Sequence, residues 1–157
     1  MLEILCVKLP NGTFAPVGEE AEERCKRFKS GSQIWLSIRQ SRDVMFHRRW
    51  FALVRIAFDM WSETASPAQY KGMDVSPEFE RFRKDITILC GYYRPVYGLN
   101  DEVTLEAESI AFHNMSQERF EALYSATIQV ILEKILPNRG LSSERLNEAV
   151  EEVLRFA

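Results

Sequence analysis

Six basic side chains between residues 39 and 55 carry the clearest chemical signal in the sequence. They are Arg39, Arg42, His47, Arg48, Arg49 and Arg55. Guanidinium groups bind phosphate oxygens through paired hydrogen bonds, and an exposed ring such as that of Trp35 can stack on a base. The imidazole of His47 adds positive charge below pH ~6.5. These residue types together are compatible with a site for nucleic acid.

The same cations are also compatible with an ordinary amphipathic helix. Every helix on a domain surface has a polar face, and arginines there often pair with carboxylates of the same helix, here Asp43, Asp59 or Glu63. The charge is unevenly distributed: residues 24–55 contain nine bases and one acid, whereas residues 101–157 contain eleven acids and five bases. Because the net charge of the chain is −3, we expect phosphate binding only within the basic segment, residues 24–55. Charge alone leaves both interpretations open.

No pattern typical of catalysis or metal binding is present in the sequence. The two histidines, His47 and His113, lie in different segments, and there is no glycine-rich phosphate loop. Cys6, Cys25 and Cys90 are too far apart for a zinc knuckle. Cys90 with either histidine remains as a conceivable nucleophile pair, but a single unflanked cysteine is usually structural. We therefore predict a protein that is not an enzyme and holds neither metal nor cofactor.

The sequence predicts a cytoplasmic protein. Its longest uncharged run with apolar character, residues 122–132, has eleven residues, whereas a membrane-spanning helix needs about 20. The first ten residues, MLEILCVKLP, lack the basic start of a secretory signal. Three cysteines without a pairing pattern suit a reducing compartment.

A long helix over residues 43–63 is the element expected to position the cations. At 100° per residue, His47, Arg48 and Arg55 share one face, and Arg49 lies at its margin. The rest of the helix is apolar, so it is predicted to be central to the fold. A strand over residues 33–39, with alternating apolar side chains, is predicted to precede it.

The remaining elements predict an α+β protein. An Asn11-Gly12 turn indicates an N-terminal hairpin, and a second hairpin is expected around Asn100-Asp101. Residues 64–77 have the composition of a loop. Further helices are predicted over residues 18–31 and from caps at Ser76, Ser116, and Ser142 or Ser143. We expect a small antiparallel sheet covered by four to five helices in a single domain, residues 1–157.

Three blocks of sequence resemble an uncharacterised family of phage and prophage proteins of unknown function that includes the YdfU-like proteins. The blocks are FHRRWFALVRIAFDMW, FRKDITILCGYY and EALYSATIQVIL. They occur in order, and the resemblance extends over nearly the whole chain. It implies a protein made in a bacterial cytoplasm from phage-derived DNA.

A more local resemblance concerns RDVMFHRRWFAL. This segment is similar to the start of a helix in the NinB (Orf) recombination mediators of lambdoid phages. Arg42 stands at the turn of that pattern, Arg48 at its cluster arginine and Phe51 at its aromatic position. Phe46 and His47 replace an amide pair, and Asp43 replaces a serine. The resemblance implies a homodimer that binds single-stranded DNA during recombination or replication.

An effector that binds a host protein is the alternative function. The acidic C-terminal half could imitate a phosphate backbone and occupy the DNA-binding groove of a host defence or regulatory complex. The acids considered for that role are Glu106, Glu108, Glu148, Glu151 and Glu152. The first hypothesis assigns the functional surface to basic side chains, and the second assigns it to acidic side chains.

Overall fold

A computed structural model describes residues 2–38, 43–111 and 114–156. Their contacts divide the chain into two compact units, residues 1–39 and 40–157, and each is described by itself. The α+β class is confirmed, with five α-helices and six short strands in the described chain. Those strands form three separate two-stranded antiparallel sheets in place of one small sheet. The single-domain assignment stays a prediction.

The first unit contains one hairpin and one short helix. Strand β1 (Cys6–Lys8) pairs with β2 (Phe14–Pro16), and helix α1 follows at Glu19–Cys25. Gly12 has a positive φ of 86°, whereas Asn11 does not, so the predicted Asn-Gly turn is present but is not of type I′. The sequence predicted that this helix would end at Gly31, but α1 ends six residues earlier, at Cys25.

The predicted strand at residues 33–39 is wrong over its described part. Residues 32–38 form no regular secondary structure, and Arg39 lies outside the described residues. Alternating side chains form a strand only where a neighbouring strand supplies hydrogen bonds, and none lies beside this segment in the described chain. Its Trp35 side chain is 103% exposed.

The second unit is built around helix α2 (Val44–Ser62). The Asp43 carboxylate caps it by accepting from the backbone N–H groups of Met45 (2.8 Å) and Phe46 (3.4 Å). Its buried stripe packs mainly against helix α5 (Ser143–Arg155) and also contacts α3 (Phe79–Leu89) and α4 (Gln117–Val130). The central position predicted for this helix is confirmed.

The other predicted helices are present, with small differences at their ends. Ser116 and Ser142 cap α4 and α5 as expected, whereas α3 begins after Glu78 and Ser76 does not cap it. Helix α4 continues into a π-helical turn at Ile131–Ile135. Helix α3 ends at Leu89, before Gly91 at a φ of 88°.

Two hairpins complete the second unit. Strands β3 (Ala68–Tyr70) and β4 (Met73–Val75) pair within the segment predicted as a loop. Lys71 and Gly72, both at positive φ, make the tight turn between them, as in a type I′ hairpin. Strands β5 (Tyr93–Tyr97) and β6 (Val103–Ala107) form the hairpin predicted around residues 100 and 101.

A buried polar group joins three helices inside the core. The hydroxyl of Thr127 on α4 donates to the Leu123 carbonyl (2.7 Å) and accepts from the Trp50 indole N–H (2.9 Å). The Cys90 sulfur lies 3.6 Å from the same oxygen. Because the indole and hydroxyl donors are satisfied, Trp50 is fully buried without leaving a polar atom unpaired.

Candidate nucleic-acid interface

The predicted basic residues do not share one environment. Arg39 and Arg42 lie outside the described residues. The other four lie on α2, which holds them at fixed spacing because its opposite face is buried in the core. Each of these four has different neighbours, so they are taken in turn.

His47 lies within an aromatic cluster, although the helix pattern placed it on the exposed face. Its ring stacks on Phe120 of α4, with a centroid distance of 5.4 Å and an interplanar angle of 18°. Phe51, one turn further along α2, lies 4.8 Å away. The side chain is half-buried. The ring is therefore packed against two phenyl groups and is not fully open to a ligand.

Arg49 makes an ion pair with Glu151 of α5. Both side chains are partly exposed, at 41% and 46%. Burial raises the pKa of the Tyr124 hydroxyl, and the charge of Arg49 partly opposes this rise. The sequence suggested a carboxylate partner on the same helix, but the partner comes from a helix about a hundred residues away.

Arg55 lies on an aromatic surface. Its guanidinium carbon is 3.8 Å from the ring centroid of Phe79 on α3 and 5.7 Å from that of Phe58. Such stacking restrains a guanidinium while its N–H groups stay available at the ring edge. The side chain is exposed, so Arg55 is positioned and still accessible.

Arg48 is exposed and makes no ion pair or ring contact with the residues that the structure describes. It lies seven residues before Arg55, which places the two side chains about 20° apart around α2 and about 10 Å apart along its axis. Asp59, one turn beyond Arg55, ends this basic face with a negative charge. We refer to Arg48 and Arg55 as the α2 arginine pair.

A carboxylate also borders the α2 arginine pair. The pKa of Glu80 on α3 is lowered, first by its hydrogen bond from Arg83 and further by the charges of Lys84 and Arg55. Arg83 donates to the Glu80 carboxylate at 2.8 Å. Arg48 thus has no ion-pair partner among the described residues, whereas Glu80 partly neutralises the positive charge near Arg55.

Most other arginines of the second unit are also paired. Arg94 bonds Glu106 (2.6 Å) and Arg119 bonds Glu108 (2.9 Å). With Glu151 held by Arg49, three of the five acids considered for DNA mimicry have a cation beside them. Glu148 and Glu152 of α5 are exposed and make no ion pair with any described residue. The acidic surface is therefore smaller than the sequence indicates.

The environment of Cys90 does not activate its thiol. Burial raises its pKa, which the hydrogen bond with Thr127 and the charge of Lys134 only partly oppose. His113 lies outside the described residues. Within the described ranges no three His, Cys, Asp or Glu side chains come together as a metal site would need.

We expect Cys90 to react slowly with iodoacetamide at pH 8 in the folded protein, because the thiolate is the reactive form. Exposed Cys6 is the internal reference, and peptide mass spectrometry gives both rates. Because burial raises the pKa of Cys90 only in the folded chain, the thiol of the unfolded chain loses its proton at a lower pH. The free energy of unfolding should therefore fall as pH rises above the ordinary thiol pKa. Equal rates at Cys90 and Cys6 would contradict the burial described above.

No helix in the described ranges is both long enough and apolar enough to cross a membrane. Neither the curated proteins nor the solved structures contain a match to the chain. One family does match, over residues 1–71 and 65–156, and its description is "Protein of unknown function (DUF1367)". Because these two segments together span almost the whole sequence, the chain belongs to the DUF1367 family.

Proposed function

We propose that this chain is a non-catalytic accessory protein that binds single-stranded DNA during recombination or replication. The observation that carries the proposal is the α2 arginine pair: two exposed guanidinium groups lie on one rigid helix face, and one of them is held by an aromatic ring. Arg39 and Arg42, the other two arginines predicted for the site, lie outside the described residues. Phosphate contacts of this kind give affinity with little sequence preference.

The sequence resemblances support a phage context for this proposed role. A YdfU-like and NinB-like protein would act in a bacterial cytoplasm on DNA of phage origin, as a homodimer. We expect single-stranded DNA to fit better than duplex, because a flexible strand can adjust its phosphates to arginines that one helix face holds at fixed spacing. His47 would contribute through the aromatic cluster that fixes the start of α2.

Fluorescence anisotropy with a labelled oligonucleotide of about 30 nucleotides tests the proposal. We expect the affinity to fall about 5- to 20-fold between 50 and 200 mM salt, as for two to three phosphate contacts. Unlabelled duplex of the same sequence should compete less well than the single strand. Absence of binding at the lower salt concentration would reject the proposal.

Releasing Arg49 should strengthen binding. Glu151→Gln removes the carboxylate that neutralises Arg49, so a third guanidinium becomes available beside Arg48. We expect an increase in affinity of about 2- to 5-fold at low salt.

Glu148→Gln is the matched control for this change. It alters the net charge equally on the same helix, but Glu148 makes no ion pair with a described residue. The difference between the two variants isolates Arg49 from general charge effects. Equal affinities in Glu151→Gln and Glu148→Gln would show that DNA does not reach this end of α2.

The alternative function, an effector that blocks a host protein complex, depends on Glu148 and Glu152. These exposed carboxylates lie one turn apart on α5, and acids in such a row can occupy a groove that normally receives phosphates. Capture of a stoichiometric host protein from nuclease-treated lysate, lost in the double variant Glu148→Gln with Glu152→Gln, would favour this role. Capture that the double variant retains would count against it.

A further inference from the structure

Helix α3 begins directly beside the α2 arginine pair. The guanidinium carbon of Arg55 lies 3.8 Å from the ring centroid of Phe79, which is the first residue of α3. Glu80 follows Phe79, and Lys84 lies one turn after Glu80 on the same helix. Side chains four residues apart are neighbours on a helix surface. The start of α3 therefore carries an acid and a base next to the position that Arg55 occupies.

Cations from both helices surround the Glu80 carboxylate. Arg83 donates to one of its oxygens through Nε (3.2 Å) and Nη2 (2.8 Å). This hydrogen bond is the main cause that lowers the pKa of Glu80, and the charges of Lys84 and Arg55 lower it further. Because one negative charge faces three positive charges, the cluster as a whole stays positive.

Lys84 is the available cation of this cluster on α3. The Arg83 side chain is only 16% exposed, and its N–H groups already bind Glu80. Lys84 is exposed and makes no ion pair with any residue in the described ranges. Asp85, the next acid along the helix, is paired with Arg81 at 2.9 Å. The charge of Lys84 is therefore open to a ligand from solution.

The charges on α2 also favour a path from Arg55 onto α3. Asp59 lies one turn beyond Arg55, and Glu63 follows at the end of the helix. Both acids are exposed and make no ion pair with the residues that the structure describes. They repel a phosphate chain that would continue along α2. The acid on the route to Lys84 is Glu80, which Arg83 neutralises.

We propose that the DNA-binding surface continues from α2 onto α3, where Lys84 binds a phosphate of the strand that Arg55 also contacts. This inference rests on the proposed function, because it assigns a further contact to the same site. Helices that pack together lie about 8–10 Å apart, so a single strand passes from one to the other within a few nucleotides. A lysine suits this position, since its ammonium group binds phosphate as a point charge on a flexible stem.

The variant Lys84→Gln tests the proposed contact by fluorescence anisotropy with the single-stranded oligonucleotide. We expect affinity at low salt to fall about 3- to 10-fold, as for one charge-assisted contact. The slope of log K against log salt should become about 0.7 smaller in magnitude, because one phosphate contact is lost. Melting curves followed by circular dichroism check that the variant is folded.

Lys134→Gln is the matched control. Lys134 is an exposed lysine on the π-helical turn after α4 and makes no ion pair with the described residues. Its replacement changes the net charge by the same amount, so we expect its affinity to stay within about twofold of the wild-type value. The difference between the two lysine variants isolates the surface of α3 from total charge.

Glu80→Gln should change the affinity in the opposite direction. The substitution removes the negative charge between Arg55 and Lys84, while the amide oxygen can still accept from Arg83. We expect binding to strengthen about 2- to 5-fold at low salt. Weaker binding by this variant in a folded chain would count against a strand that passes Glu80.

The arrangement of charges can also be measured without DNA. Lys84→Gln should raise the pKa of Glu80, followed by NMR, because it removes a cation that favours the ionised carboxylate. Lys134→Gln should leave that pKa unchanged. If Lys84→Gln does not move it, the two side chains are not neighbours and the proposal is overturned.

The failure of this inference differs from the failure of DNA binding itself. Equal affinities and equal salt slopes in Lys84→Gln and Lys134→Gln, in a chain whose binding still depends on Arg48 and Arg55, would overturn the extension onto α3 alone. A wild-type chain that binds no single-stranded DNA would reject the proposed function, and this inference with it.

Discussion

Trp50→Ala is expected to lower the free energy of unfolding by about 3–5 kcal/mol. Trp50 is 0% exposed, and its ring centroid lies 5.2 Å from that of Phe51 and 6.0 Å from that of Phe120. Its removal leaves a cavity where α2 meets α4, and the Thr127 hydroxyl loses the indole donor. Urea unfolding followed by circular dichroism measures the change.

Trp35→Ala is the control for the same substitution at an exposed position. Trp35 is 103% exposed, so we expect its replacement to change the free energy of unfolding by no more than about 0.5 kcal/mol. A small effect at Trp50, or a comparable one at Trp35, would contradict the packing described here.

The double variant Arg48→Ala with Arg55→Ala is expected to weaken binding of single-stranded DNA by about 10- to 100-fold at low salt. Two exposed charge-assisted contacts to phosphate together contribute on the order of 1.5–3 kcal/mol. Both side chains are exposed, so the variant should unfold at nearly the wild-type urea concentration. Anisotropy titration measures the affinity.

Arg139→Ala with Arg145→Ala is the matched control. Both residues are exposed and make no ion pair with the described residues, and each double variant changes the net charge from −3 to −5 by losing two cations. We expect this control to keep most of its affinity. Equal losses in the two double variants would mean that binding depends on total charge and that α2 holds no defined site.

Local signals made much of the fold predictable. The apolar stripe of α2, its Asp43 cap, and the serine caps of α4 and α5 each depend on residues within one or two turns. The Lys71-Gly72 turn is equally local, but the composition of residues 64–77 is typical of a loop and does not reveal the short hairpin within it. The strand predicted at residues 33–39 required a partner strand, which sequence periodicity cannot supply.

The environments of the candidate site were less predictable, because each depends on a distant segment. The helix pattern placed His47 on the exposed face and Arg49 at its margin, but it could not identify their neighbours, Phe120 on α4 and Glu151 on α5. Nothing near Arg55 in the sequence indicates that Phe79 lies under its guanidinium. Of the six predicted cations, Arg39 and Arg42 lie outside the described residues, and these contacts occupy His47 and Arg49. The α2 arginine pair is what remains exposed and described.

The dependence of DNA affinity on salt concentration tests the central claim most directly. If Arg48 and Arg55 each contact one phosphate, the slope of log K against log salt should be about 1.4 smaller in magnitude for Arg48→Ala with Arg55→Ala than for the wild-type chain. An unchanged slope would show that neither guanidinium displaces counterions from DNA, and the assignment of the binding surface to α2 would then be wrong.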